Sequence, residues 1–401
     1  MSIFDDKTAF SWLTSIYDPN SRNEALLLLG KHRQKFPDLG NVIWNSPGMV
    51  TILLQEIIKV YPYLTGNKQY VLTSEISTRT CNVLVLFQCI AFDEETRNDV
   101  INSEILSYLF PFLKCPQQAN LDDAAFNKLD IHEKVLKCRP FEYLRLTALG
   151  VFGSFARVDS TNVVDYLIST DLVPQCLIIM ETCSELSRIV ALFIFMRIVL
   201  NKKGLNYVVS SENRILSVLN VLKGMVYTLQ LPKDTQHAAA NEQSSNGNNP
   251  PGRTFKNILR CYLSLCDVKE LRPMLRTHLP PEIYHVMKDD MKSKQSAKKG
   301  LNPDTCLVLE HIKNEDPTVY KLQVQLFQLL GMSLTSWYST IYSSLWIIFL
   351  KMCTWTSVFQ FLNMILGWQP VRVSLIIFFF YTFAPPKKKK IFLDSLVFVV
   401  Y

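Results

Sequence analysis

The stretch RPFEYLRLTALG, residues 139–150, decides the fold. It opens residues 141–158, a long apolar run in which polar residues recur at helical spacing. Glu142 and Arg145 stand three apart, so on a helix they meet on one face as a candidate ion pair. The same period recurs outward in both directions, at 49–60 (MVTILLQEIIKV), 81–92, 187–200 and 255–266. No run shows sustained two-residue alternation bounded by turn residues, so a sheet is not supported. Residues 7–330 therefore read as an all-α chain.

Composition narrows the class. The 401 residues are 48% hydrophobic, enough for a large core. Only 19% are charged, against about 25% in an ordinary soluble domain. Disorder across the whole chain is excluded, because that needs low hydrophobicity and high charge. Thirteen glycines argue against a glycine-rich nucleotide-binding α/β enzyme. The net charge of +7 is uneven: −4 over residues 1–136 (12 Lys/Arg, 16 Asp/Glu), +6 over 137–278 (17 and 11) and +5 over 279–401 (13 and 8). The middle segment is where a polyanion would bind.

Ten cysteines carry no C-x-x-C spacing and no histidine within four residues, so no metal site is expected. Most lie in apolar runs, where a free thiol packs as a small hydrophobe. That fits a reducing compartment. MSIFDDKTAF has no basic start and no apolar run, hence no secretory signal. The six histidines are scattered, with no H-E-x-x-H, G-x-S-x-G or P-loop, so neither catalysis nor a cofactor is expected.

Internal repetition is weak. Ser103-Glu104, Thr170-Asp171 and Ser211-Glu212 each precede an apolar run, as hydroxyl caps and acids do at helix starts. Their spacings approach the roughly 40–47 residues of HEAT and armadillo units once an insertion at about 115–136 is removed. Pattern alone leaves an α-solenoid and unrelated packed helices as equals. Further insertions are read at 230–252, rich in Asn, Ser and Gln, and at 291–313, lysine-rich at its start. Residues 331–401 differ in kind: an apolar tail with four of the six tryptophans, then Pro385-Pro386 and Lys387 to Lys390. A membrane hairpin with a basic flank is one reading. Translated non-coding sequence is the other.

At residues 139–150 the chain resembles subunit nine of the CCR4-NOT complex, the "required for cell differentiation" family of armadillo-repeat proteins. Other blocks agree in order, among them RNEALLLL (22–29), LLQEI (53–57), YLFPFL (108–113), SELS (184–187), RCYL (260–263) and EDPT (315–318). The resemblance covers about residues 7–330. It implies a solenoid of about six armadillo-like repeats and no enzymatic activity. It implies an adaptor for mRNA decay by deadenylation, translational repression and transcriptional regulation, in the cytoplasm, processing bodies and nucleus. The expected partners are the large NOT scaffold subunit, peptides of RNA-binding repressors, single-stranded nucleic acid and a second copy of the chain. A membrane-tethered helical-repeat protein, or a stand-alone nucleic-acid module, is the alternative.

Three residue sets follow. Arg253, Lys256 and Arg260 fall at i, i+3 and i+7 on one helix face, opposite Phe255, Ile258, Leu259, Tyr262 and Leu263. Such a cationic row neutralises phosphates without reading sequence. Arg253 matches a basic groove position of the family and Arg145 is a further candidate, whereas Glu270 reverses the charge at a second position. The resemblance places scaffold docking at Asn45, Pro47, Thr51 and Ile58, with Pro47 where the family usually has an aromatic. It places a peptide pocket for tryptophan at Pro174, Val190, Glu212 and Arg214, with Glu212 where an aromatic stands and Arg214 free to stack on an indole.

Overall fold

The computed structural model describes residues 7–65, 69–114, 128, 130–158, 160–231, 250–288 and 301–332. The chain divides into two units, Met1–Ser333 and Leu334–Tyr401, and the second lies wholly outside the described residues. So does the tail expected at 331–401, apart from Gly331 and Met332.

The described residues are all-α and form a helical-repeat solenoid. The first part contains α1 (Lys7–Ser15), α2 (Arg22–His32), α3 (Leu39–Asn45), α4 (Met49–Ile58), α5 (Tyr61–Leu64), α6 (Ser74–Phe92), α7 (Arg97–Asn102) and α8 (Phe110–Leu113). The middle contains α9 (Ile131–Ala156), α10 (Thr161–Ser169), α11 (Leu172–Thr182), α12 (Glu185–Leu200), α13 (Lys202–Val209) and α14 (Glu212–Tyr227). The last part contains α15 (Pro250–Cys266), α16 (Arg272–His278), α17 (Pro281–Lys288), α18 (Pro303–Glu315) and α19 (Pro317–Leu329).

Four of the apolar runs read from the sequence, at 81–92, 141–158, 187–200 and 255–266, become a spine, which α19 extends. Helices α6, α9, α12, α15 and α19 pack in series, each against the next. Each interface buries aliphatic and aromatic side chains, such as Phe87, Phe152, Phe195, Phe255 and Phe327. Each is also tied by polar contacts. Ser77 Oγ donates to the Pro140 carbonyl at 2.8 Å, and Gln88 Nε2 to that of Thr147 at 3.0 Å. Arg197 Nε donates to the Ala156 carbonyl at 2.9 Å, closing the end of α9. Ser264 Oγ donates to the Val199 carbonyl at 2.5 Å. Gly150, in the decisive stretch, lets α6 and α9 approach: a side chain there would collide with the Gln88 amide.

Three helices begin inside stretches expected as insertions. Helix α9 starts at Ile131, inside the insertion expected at 115–136, because Asp130 caps it by accepting from the Glu133 N–H at 2.7 Å. It runs through Pro140. Helix α15 starts at Pro250, so 250–252 leave the expected loop 230–252; prolines fit a first turn, whose N–H groups have no helical partner. Helix α18 starts at Pro303, so the insertion expected at 291–313 ends there. Asn302 caps it, accepting from the Asp304 and Thr305 N–H groups, and its own N–H bonds buried Glu282 at 3.0 Å. The hydroxyl–acid pairs do precede helical segments, but none of Glu104, Asp171 and Ser211 makes a side-chain cap bond.

The free thiols of Cys176, Cys261 and Cys266 are buried, and burial pushes that of Cys176 up to about 12. They pack as hydrophobes.

One carboxylate anchors the first helices. Glu56, on the buried face of α4, accepts from Arg22 of α2 at 3.1 Å and from Lys59 at 2.8 Å, and pairs with Arg79 of α6. Burial alone would raise its pKa, but Lys59, Arg79 and Arg22 outweigh that and hold it below the usual carboxylate value. Glu56→Ala leaves buried Arg22 without its carboxylate, though its bonds to the Ile16 and Tyr17 carbonyls remain. Partly hydrated Lys59 and Arg79 soften the loss, so the expected cost is about 3 kcal/mol. A fall in the urea midpoint, with helical circular dichroism kept in buffer, checks it.

Candidate functional site

Three surfaces carry the expected residues, and each grows from how its helix is buried. On α4 the inward positions are Met49, Leu53, Glu56 and Ile57, at i, i+4, i+7 and i+8. Thr51 and Ile58, seven apart, therefore share the outward face; Ile58 is 42% exposed, so it is not core. Asn45 ends α3 and Pro47 lies in the connecting turn, both exposed. The Pro47 carbonyl accepts from the Tyr17 hydroxyl at 2.8 Å, which fixes the turn against the chain following α1. Gly48 then adopts φ 73°, a left-handed conformation that glycine allows, and α4 begins. The structure thus brings Asn45, Pro47, Thr51 and Ile58 to one stretch of surface, with the Glu56 cluster fixing the helix beneath it.

The second set is only partly united. Pro174 is exposed in the first turn of α11, and Ile178, one turn on, is 51% exposed. Glu212 and Arg214 lie in the first turn of α14, which packs on α11. Val190, on α12, instead stands beside Gly153 of α9. Arg214, expected to stack on a partner's indole, already has an internal aromatic partner. Its guanidinium already lies 3.9 Å from the Tyr207 ring centroid, and Nη1 donates to the Tyr207 carbonyl and, at 3.1 Å, to Ser210 Oγ. That internal cation–π contact would have to be shared or broken before an indole could stack on the same face.

The third surface is the open stripe of α15. This helix is buried nearly all round, with Phe255, Ile258, Leu259, Cys261, Tyr262 and Leu265 fully inside. Arg253, Lys256, Arg260, Leu263 and Asp267 follow one another along the remaining line. Leu263 is therefore not on the buried face where the sequence placed it. It lines a groove with Leu200, Arg260, Asp267, Gln325 and Leu329. Lys256 pairs with Asp316 at 2.7 Å, joining α15 to the start of α19. Arg253 and Arg260 have exposed side chains, and Arg260 donates to Asn257 Oδ1 at 3.2 Å. Glu270 is exposed in the short turn Lys269–Leu271 after α15.

Arg145 does not belong to that groove. It is 1% exposed within α9 and pairs with Glu142, the i−3 partner the spacing offered. Glu142 also accepts from Ser184 at 2.7 Å and Ser187 at 3.1 Å. The charged block of the decisive stretch is thus a clasp between α9 and α12. Sequence reasoning missed the Arg22 and Arg79 partners of Glu56, the Tyr207–Arg214 stack and the Asp316–Lys256 pair, because each partner lies on another helix and no spacing announces it. Among the described residues, no three His, Cys, Asp or Glu side chains converge as metal ligands. No single helix among them is long and apolar enough to cross a membrane.

Residues 12–124 and 130–303 match the cell differentiation family, Rcd1-like. Protein CAF40 of Saccharomyces cerevisiae is 38% identical over 296 residues, 73% of this chain and 69% of that protein. Cell differentiation protein rcd1 of Schizosaccharomyces pombe is 36% identical over 297 residues, 73% of this chain and 91% of that protein.

Asp316 gives a pH test. Burial raises its pKa, but hydrogen bonds from Lys256 and Thr318 outweigh that and bring it down to about 2 from 3.8. A depressed carboxylate stabilises the fold above its unfolded value, so this contribution is complete above about pH 4 and lost as pH falls toward 2. Asp316→Asn should therefore flatten the acid limb of the stability–pH curve between about 4 and 2, read by thermal melts.

Proposed function

The chain belongs to the Rcd1-like cell differentiation family, the one whose likeness residues 139–150 carry, and from that premise we propose that it is a non-catalytic adaptor of the CCR4-NOT deadenylase complex. Its α3–α4 surface docks on the large NOT scaffold subunit. Its α11–α14 surface receives peptides of RNA-binding repressors, with tryptophan held less firmly because Glu212 replaces an aromatic and Arg214 is already stacked. It works in mRNA decay, translational repression and transcriptional regulation, in the cytoplasm, processing bodies and nucleus.

The observation that carries this reading is the joint exposure of Asn45, Pro47, Thr51 and Ile58 above a firmly anchored helix. A rigid, partly apolar face suits docking, because little ordering cost is added on binding. Replacing Ile58 by Glu puts a charge where an apolar anchor is expected. Capture of the scaffold's docking region by the full chain should weaken by about 2 kcal/mol, roughly thirtyfold. Unchanged capture, or no capture by the native chain, overturns the reading.

A second reading rests on exposed Arg253 and Arg260 along the α15 stripe. With Lys256 committed to Asp316, the stripe offers at most two cations to phosphates. A single strand should then bind with a log–log salt slope no steeper than about −1.4, far shallower than a full basic groove gives. Arg253→Glu with Arg260→Glu should abolish the slope in fluorescence anisotropy.

A further inference from the structure

Of the 19 prolines in the chain, one follows a serine or threonine: Pro47, after Ser46. That dipeptide sits inside the docking surface, in the turn between α3 and α4. A serine followed by proline is the acceptor pattern of a proline-directed kinase, and here it lies in a turn whose Ser46 carbonyl accepts from the Met49 N–H at 3.1 Å. Ser46 has φ −76° and ψ 123°, the extended form that a following proline favours. Asn45, Pro47 and Gly48 are exposed around it. Nothing stands within 4 Å of where a side chain at Gly48 would begin, so the turn is open at that residue. Ser46 itself is half-buried, and its Oγ donates to the Val42 carbonyl at 2.6 Å. Rotation about χ1 exchanges that bond for solvent.

We propose that Ser46 is the acceptor of a proline-directed Ser/Thr protein kinase, and that its phosphate switches off docking at this surface. The switching half rests on the docking reading above. In the transfer, Ser46 Oγ bonds to the γ-phosphorus of ATP while the bond from that phosphorus to the bridging oxygen of ADP breaks. The hydroxyl proton passes to the kinase's catalytic carboxylate, and ADP leaves. The product carries about −1.5 to −2 charges at neutral pH. The carbonyl end of α3 disfavours that charge and the N-terminal end of α4 favours it, so the phosphate belongs to the α4 side of the turn. A partner covering Ile58 and Thr51 would then have to desolvate a phosphate lacking a built counter-charge, which opposes docking.

The native full chain is incubated with a purified proline-directed kinase and labelled ATP, and the phosphate is mapped by mass spectrometry. One phosphate on Ser46 is expected, with loss of label in Ser46→Ala and in Pro47→Ala, which keeps the hydroxyl. A peptide spanning residues 39–52 is the control for the fold. Label on the peptide but not on the native chain, or on neither, overturns the proposal. Scaffold capture is then compared between the phosphorylated chain and Ser46→Ala treated in parallel. Loss of capture on phosphorylation supports the switch, and equal capture overturns it. If neither form captures the scaffold, the docking reading and the switch fall together, while the label still decides the acceptor.

Discussion

The constraint on which this structure depends is that its central helices are buried over most of their surface. A helix such as α15, with Phe255, Ile258, Leu259, Cys261, Tyr262 and Leu265 inside, has to be covered on its back and both flanks. Stacking α6, α9, α12, α15 and α19 in series meets that demand, and the shorter helices close the rest. What remains open on α15 is a single line of side chains. Contact chemistry therefore falls to this line, to the outward faces of shorter helices such as α4, and to turns such as 45–48.

Most of the charge that looks available from the sequence is used internally. Arg145 clasps Glu142, Lys256 binds Asp316, Arg214 lies on Tyr207, and Arg22 meets Glu56. Each arrangement satisfies a group that would otherwise be costly to cover. The surplus of positive charge over residues 137–278 thus overstates what a polyanion would meet. The mixed character of the α15 groove, with Arg260 beside Asp267, Leu200 and Leu263, points the same way.

Much of the fold was legible in the sequence. The periodic runs at 49–60, 81–92, 141–158, 187–200 and 255–266 lie on α4, α6, α9, α12 and α15, because helix-forming periodicity is local information. Helix starts were harder. Asp130 and Asn302 do carry capping signals, and Pro250 and Pro303 sit where first-turn prolines belong, yet polar composition made these stretches look like insertions. Thr51 and Ile58, named by the family resemblance, have the surface setting expected of docking positions. Arg145 lacks the setting expected of a groove position, since its spacing to Glu142 suits an exposed pair and a buried clasp equally, and only the neighbouring α12 decides between them.

Serial stacking also bears on how the surfaces influence one another. Along the spine, the α3–α4 surface reaches the α15 stripe through the α6–α9, α9–α12 and α12–α15 interfaces. In such a quasi-one-dimensional array each unit senses mainly its neighbours. A reciprocal coupling between distant ligands needs a two-state element that both can bias, and the paired, buried contacts along this route hold a single arrangement. Occupancy at one end should therefore leave affinity at the other nearly unchanged, so that simultaneous partners combine independently and neither excludes the other.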